Sequence, residues 1–155
     1  MKTKNNFKKG FTLIEMVLAI GITAVIVTLT VSSFTELSNF QSIDKDSDVV
    51  LSYLEKARTQ TINSKNFSEY GVRFATTSIT LFPGTAYTST SSNIVYNLST
   101  KVKISSISLS GGVTDVYFNK VTGESSATGT ITFQLQTAST TKKIIIYGTG
   151  LSEIQ

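Results

Sequence analysis

Residues 16–31 carry no charged side chain, and a single carboxylate, Glu15, stands at their head. Ahead of it lies a short leader containing Lys2, Lys4, Lys8 and Lys9 and no acid. Counted from Phe11, the apolar run is about 21 residues, or about 30 Å as an α-helix at about 1.5 Å per residue, which matches the hydrocarbon thickness of a bilayer. Such a helix is apolar on every side except at Glu15 and cannot rest in water. A carboxylate in hydrocarbon costs up to about 2.5–3.5 kcal/mol at mid-bilayer and less near a helix end. A cation at the end of a neighbouring helix of the same kind would neutralise it. The pattern therefore predicts a helix that is held in a membrane and packs against its own kind. The lysine leader keeps its N-terminus on the cytoplasmic side.

The helical pattern does not stop at residue 31. No Gly or Pro, the two strongest breakers, occurs between Gly21 and Gly71. Apolar residues recur at helical spacing through Phe34, Leu37 and Phe40, then Val50, Leu54 and Ala57, with Tyr53 and Ile62 alongside. One helix is predicted from about residue 11 to about residue 65, amphipathic in its second half. Its weakest point is expected at residues 42–48, where Ser, Asp and Lys replace strong helix formers.

After Asn66 the period shortens to two. Residues 70–75 and 78–82 read as a hairpin ended by Pro83-Gly84. Residues 94–98, 101–109, 113–118, 131–135 and 142–147 follow as strands between turns rich in Ser, Thr and Gly. Ile131, Phe133 and Leu135 share one face of their strand. The predicted fold class is α+β: a long N-terminal helix, transmembrane in one half and amphipathic in the other, packed on a C-terminal antiparallel β-sheet domain. The chain then divides into a leader (1–10), a membrane and assembly helix (11–31), its amphipathic continuation (32–66) and an extracytoplasmic β-rich domain (67–155).

The formal charge of +4 does not mark a nucleic-acid binder. Removing the four leader lysines leaves ten basic against ten acidic residues, a balance of zero. With no Cys and no His, the chain has neither disulfides, thiolate ligands nor the usual proton shuttle. No nucleophile motif or paired-acid arrangement stands out, so neither an enzyme nor a cofactor is expected.

The run Lys8-Lys9-Gly10-Phe11-Thr12-Leu13-Ile14-Glu15 and the apolar stretch after it resemble the class III signal peptide of type IV pilins and of the pseudopilins of type II secretion. The resemblance implies a pilin-like fold, cleavage by a prepilin peptidase between Gly10 and Phe11, and N-methylation of Phe11. It also implies that Glu15 pairs with the terminal amine of an adjoining subunit during assembly. The implied partners are the peptidase, other pilin or pseudopilin subunits, an inner-membrane assembly platform and, before assembly, membrane lipid. The implied location is the inner membrane, single-pass, and then a pilus or pseudopilus.

More loosely, Ala57-Arg58, Gly71-Val72-Arg73-Phe74, the Phe118 to Gly123 turn and Tyr147-Gly148 are similar to the minor pseudopilin H and FimT-like group. Two departures stand out. Many major pilins have a helix-breaking proline where this chain has Ser32, and FimT-like DNA-uptake pilins present an arginine-rich tail. Here the tail after Tyr147 has an acid and no base. DNA uptake and a signal-anchored extracytoplasmic binding domain are the alternative readings, and DNA is not the expected partner.

Other patterns read as structure. Asp44, Asp46, Asp48 and Glu55 fit positions of a calcium loop, but Val49 stands where its sharp turn needs glycine. In a helix these acids would simply solvate a face. Asn66-Phe67-Ser68 and Asn97-Leu98-Ser99 match a bare glycosylation pattern that arises often by chance. Lys101, Lys103, Lys142 and Lys143 are the paired cations of the mature chain. The sharpest expectation concerns Gly10, because a residue without Cβ lets the backbone enter a protease cleft. Gly10→Val should leave a precursor that retains its leader, seen as the heavier band in cells that carry the peptidase. Efficient cleavage of that variant would remove Gly10 as the cut site.

Overall fold

The computed structural model describes residues 10–155, except for the side chains of residues 30–35. The leader up to Lys9 lies outside the described residues. Helix α1 spans Leu13–Ile62, close to the expected limits, and the chain forms two compact units, Met1–Ser38 and Asn39–Gln155.

In the first unit the helix is bare. Leu13, Ile20, Val25 and Leu29 lie on different sides of it, and all are at least 60% exposed. The hydroxyls of Thr23 and Thr28 donate back to the Ala19 and Val25 carbonyls at 2.7 and 2.8 Å. They need no water, as suits a helix surrounded by apolar groups. Among the described residues no helix is long and apolar enough to cross a membrane. From the start of α1 the side chains are described without interruption only to residue 29, about 25 Å along the helix against about 30 Å of hydrocarbon. The expected span of residues 11–31 ends in two residues whose side chains are outside the description.

In the second unit the helix has one buried stripe, Ile43, Val50, Leu54 and Ala57. It packs on two antiparallel sheets. The first contains β1 (Tyr70–Ala75), β2 (Ser78–Pro83), β3 (Ile94–Asn97) and β5 (Asp115–Tyr117) in the order β3-β2-β1-β5. The second contains β4 (Val102–Leu109), β6 (Gly129–Leu135), β7 (Thr141–Ile146) and β8 (Ser152–Ile154) in the order β4-β6-β7-β8. Val72, Phe74, Ile79 and Leu81 from the first sheet share one core cluster with Ile131, Phe133, Ile144 and Ile146 from the second, and with the helix stripe. The fold is α+β and pilin-like, with the helix packed on a C-terminal antiparallel domain.

Two details differ from the sequence reading. The tail forms a strand, β8, because Ile154 and Ser152 register against Ile144 and Ile146 of β7. Three residues with one apolar side chain give no strand signal, so only the tertiary pairing specifies it. The second detail is residues 42–48, through which α1 runs without a break. Asp46 does not solvate a face; it is 1% exposed. The Tyr96 hydroxyl donates to one of its carboxylate oxygens at 2.8 Å, and the Ser99 N–H donates to the other at 2.8 Å. Ser47, also buried, donates to the Ile43 carbonyl at 2.7 Å. Asp44 pairs with Lys142 of β7 at 2.8 Å. Tertiary bonds here override a weak helix propensity.

The Tyr96 phenol is pushed up to about 12 from its ordinary value of 10.0, first by burial, then by its hydrogen bond to Asp46 and the negative charge beside it. Its folded value lies above the unfolded one. Its contribution to stability is therefore whole below about pH 10 and is lost as pH rises toward about 12. Tyr96→Phe should flatten the fall in stability across that window in denaturant titrations. Asp46→Ala, which strands two donors, should cost about 1–3 kcal/mol at neutral pH. An unchanged alkaline slope in Tyr96→Phe would contradict the first expectation.

Candidate functional site

The predicted site residues lie together at the start of α1. Gly10 and Phe11 precede the helix, and Phe11 is 79% exposed. A Cβ built on Gly10 would meet nothing within 4 Å, so the fold itself makes no demand for glycine there. Glu15 is exposed in the first turn, where Leu18 and Ala19 are its i+3 and i+4 neighbours along an apolar helix.

The sequence reading missed one participant. The Glu15 N–H donates to the Thr12 hydroxyl at 3.3 Å, and the Met16 N–H donates to the Thr12 carbonyl at 3.2 Å. Thr12 is thus the N-cap, and Thr12-x-x-Glu15 is the spacing of a capping box. The signal was legible as a Thr three residues ahead of a Glu at a helix start. The structure shows the Thr12 half of that box, the hydroxyl accepting from the Glu15 N–H, while the Glu15 carboxylate stays exposed. An acid in the first helical turn also complements the positive end of the helix dipole.

The more loosely matched motifs converge elsewhere, on a structural knot. Arg58, near the end of α1, donates from Nε to the Gly123 carbonyl at 3.1 Å. Gly123 closes its turn through its N–H to the Asn119 carbonyl at 2.9 Å. Ser125, bridged to Phe118, donates from its N–H to the Gly148 carbonyl at 3.1 Å. Gly150 then passes so close that a Cβ there would collide with the Gly123 carbonyl oxygen. The Gly-Val-Arg-Phe strand has its own reason. A Cβ on Gly71 would lie 2.6 Å from the Phe82 ring. Phe82 meets Tyr87 edge-on at 5.6 Å, and the Arg73 guanidinium stacks on Tyr87 at 4.4 Å. These contacts seal the outer face of the first sheet and make no catalytic arrangement.

The remaining candidates are dispersed. Lys142 is committed to Asp44. Lys103 on β4 and Lys143 on β7 are separated by β6 and register with Gln134 and Thr132 rather than with each other. The acids of the calcium-loop pattern lie along a helix and do not wrap a common point, and Asp46 is held by Tyr96 and Ser99. Asn66 and Asn97 are both exposed.

Residues 5–31 match the family model described as the prokaryotic N-terminal methylation motif. The match spans the leader's end, Gly10, Phe11, Thr12, Glu15 and the apolar run, and it supports the resemblance to type IV pilins and pseudopilins. No curated protein and no solved structure gives a significant match. The Arg58 knot makes its own prediction. Gly150→Ala combines a collision with a backbone φ of +78° and should cost about 1–3 kcal/mol in chemical denaturation. Gly112→Ala has a similar φ of +68° but open space, and should cost no more than about 1–2 kcal/mol. A larger loss at Gly112 than at Gly150 would contradict the packing role.

Proposed function

We propose that this chain, which carries the N-terminal methylation motif of type IV pilin and pseudopilin precursors, is a minor structural subunit of a type IV pilus or a type II secretion pseudopilus. The motif implies processing by prepilin peptidase and assembly with other pilin subunits, and it suggests a structural rather than a catalytic protein. On this reading the peptidase cuts between Gly10 and Phe11, Phe11 is N-methylated, and residues 11–31 hold the subunit in the inner membrane. An assembly platform then moves it into a helical fibre, where apolar helices exchange lipid contacts for contacts with one another. The observation that carries the reading is the motif in register with a helix whose apolar side chains are exposed on every side.

Glu15 would set the register of assembly. Its carboxylate is tolerated in an apolar bundle when it meets the terminal amine of a neighbour, and an unpaired charge there is not. The capping-box spacing makes a sharper test available. Glutamine serves the third helical position of a capping box nearly as well as glutamate but carries no charge. Glu15→Gln and Glu15→Ala should both insert in the membrane and both fail to enter sheared filaments or pseudopili. Normal incorporation of Glu15→Gln would remove the proposed charge pairing at Glu15.

A further inference from the structure

The segment that leaves α1 is held in an unusual shape. Ser64, Asn66 and Phe67 all have positive φ, 47°, 52° and 55°, although none is glycine. Such backbone costs about 1 kcal/mol or more per residue and persists only where surrounding structure enforces it. Here the Ser64 N–H donates to the Thr61 carbonyl and the Phe67 N–H to the Ser64 carbonyl, each at 2.9 Å. The Lys120 ammonium crosses from another turn to the Phe67 carbonyl at 2.8 Å and lies 3.6 Å from Glu69.

This loop walls a cavity of about 330 Å³ against β2 and β3. Its lining is two-sided. Tyr70 and Ile94 supply apolar surface, while Gln60, Lys65, Asn66 and Ser92 bring polar groups. Among the described residues, the side chains of Gln60, Lys65 and Ser92 make no hydrogen bond or ion pair. Asn66 donates its amide N–H to the Tyr70 hydroxyl at 3.3 Å, which leaves its side-chain carbonyl open. The lining is about evenly polar and apolar, Lys65, Asn66 and Ser92 are solvent-exposed at its mouth, and the volume is at the small end of the range for small-molecule sites.

We propose that the cavity binds a small polyhydroxylated acid of the sugar-acid class. A sugar ring offers an apolar C–H face to Tyr70 and Ile94 and hydroxyls to the amides of Gln60 and Asn66 and to Ser92. Lys65, the one charged residue of the lining, selects a carboxylate. The volume suits a single ring. None of its lining residues belongs to the N-terminal motif.

The test is saturation-transfer NMR on the full chain, in a detergent without a sugar headgroup, with glucuronate as probe and glucose as its neutral counterpart. Glucuronate should bind saturably and more tightly than glucose. Lys65→Gln should weaken it by at least about tenfold, as loss of a charged hydrogen bond does. Gln60→Ala, on the last turn of the helix, should weaken both probes while leaving the far-UV circular dichroism unchanged. No saturable glucuronate signal, equal binding of both probes, or equal binding by Lys65→Gln would overturn the proposal.

Discussion

Two four-stranded sheets that share no strand need a common surface to bury against, and one stripe of α1 supplies it. Ile43, Val50, Leu54 and Ala57 belong to the same cluster as the inner faces of both sheets. The sheets also meet each other directly in that cluster, and the Ile104 N–H donates across to the Thr76 carbonyl at 2.8 Å. Because the stripe is central, every polar group on that side of the helix must be satisfied within the protein, since an unpaired one costs about 1–3 kcal/mol. Asp46, held by Tyr96 from the first sheet and Ser99 just beyond it, meets that demand, and Asp44 reaches the second sheet through Lys142. The Arg58 bond to Gly123 ties the same helix to a third place, near its end.

The same helix is written for two surroundings. Its first part presents apolar side chains on all sides, turns the Thr23 and Thr28 hydroxyls back to its own carbonyls and keeps one carboxylate in its first turn. Its second part concentrates apolar residues on one stripe and leaves Lys45, Asp48, Ser52 and Glu55 outward. That division is what the proposed storage in lipid and later bundling would require. A helix apolar all round finds its partners in hydrocarbon or in other helices, whereas a single stripe is satisfied by its own domain.

The elements with strong periodicity were readable from the chain. The helix limits, the Tyr70–Ala75 and Ser78–Pro83 hairpin, and the inward face of Ile131, Phe133 and Leu135 follow from spacing alone. What was not readable depends on partners far away in the chain. Asp46 is spaced like any solvated helix acid, and only the donors on Tyr96 and Ser99 make it a buried anchor. β8 has almost no pattern of its own and exists through β7. The motif at Gly10, Phe11 and Glu15 was legible because charge, glycine and apolar run fall in register. The Thr12 cap is visible in the sequence as well, as a Thr three residues ahead of an acid at the helix start. The cavity beside Lys65 was hidden because its residues come from a helix end, a strained loop and an edge strand.

Processing at Gly10 and assembly through α1 are the core of the proposed function, and one measurement reaches both. Mass spectrometry of sheared surface filaments and of the envelope left behind would give the amount and the N-terminus of the subunit in each fraction. Processing and assembly predict a chain that begins at N-methylated Phe11. Few copies in the sheared fibres would mark a minor pilin, and confinement of that form to the envelope would mark a secretion pseudopilus. A chain that begins at Met1 in both fractions would contradict the reading and leave a plain signal-anchored β domain.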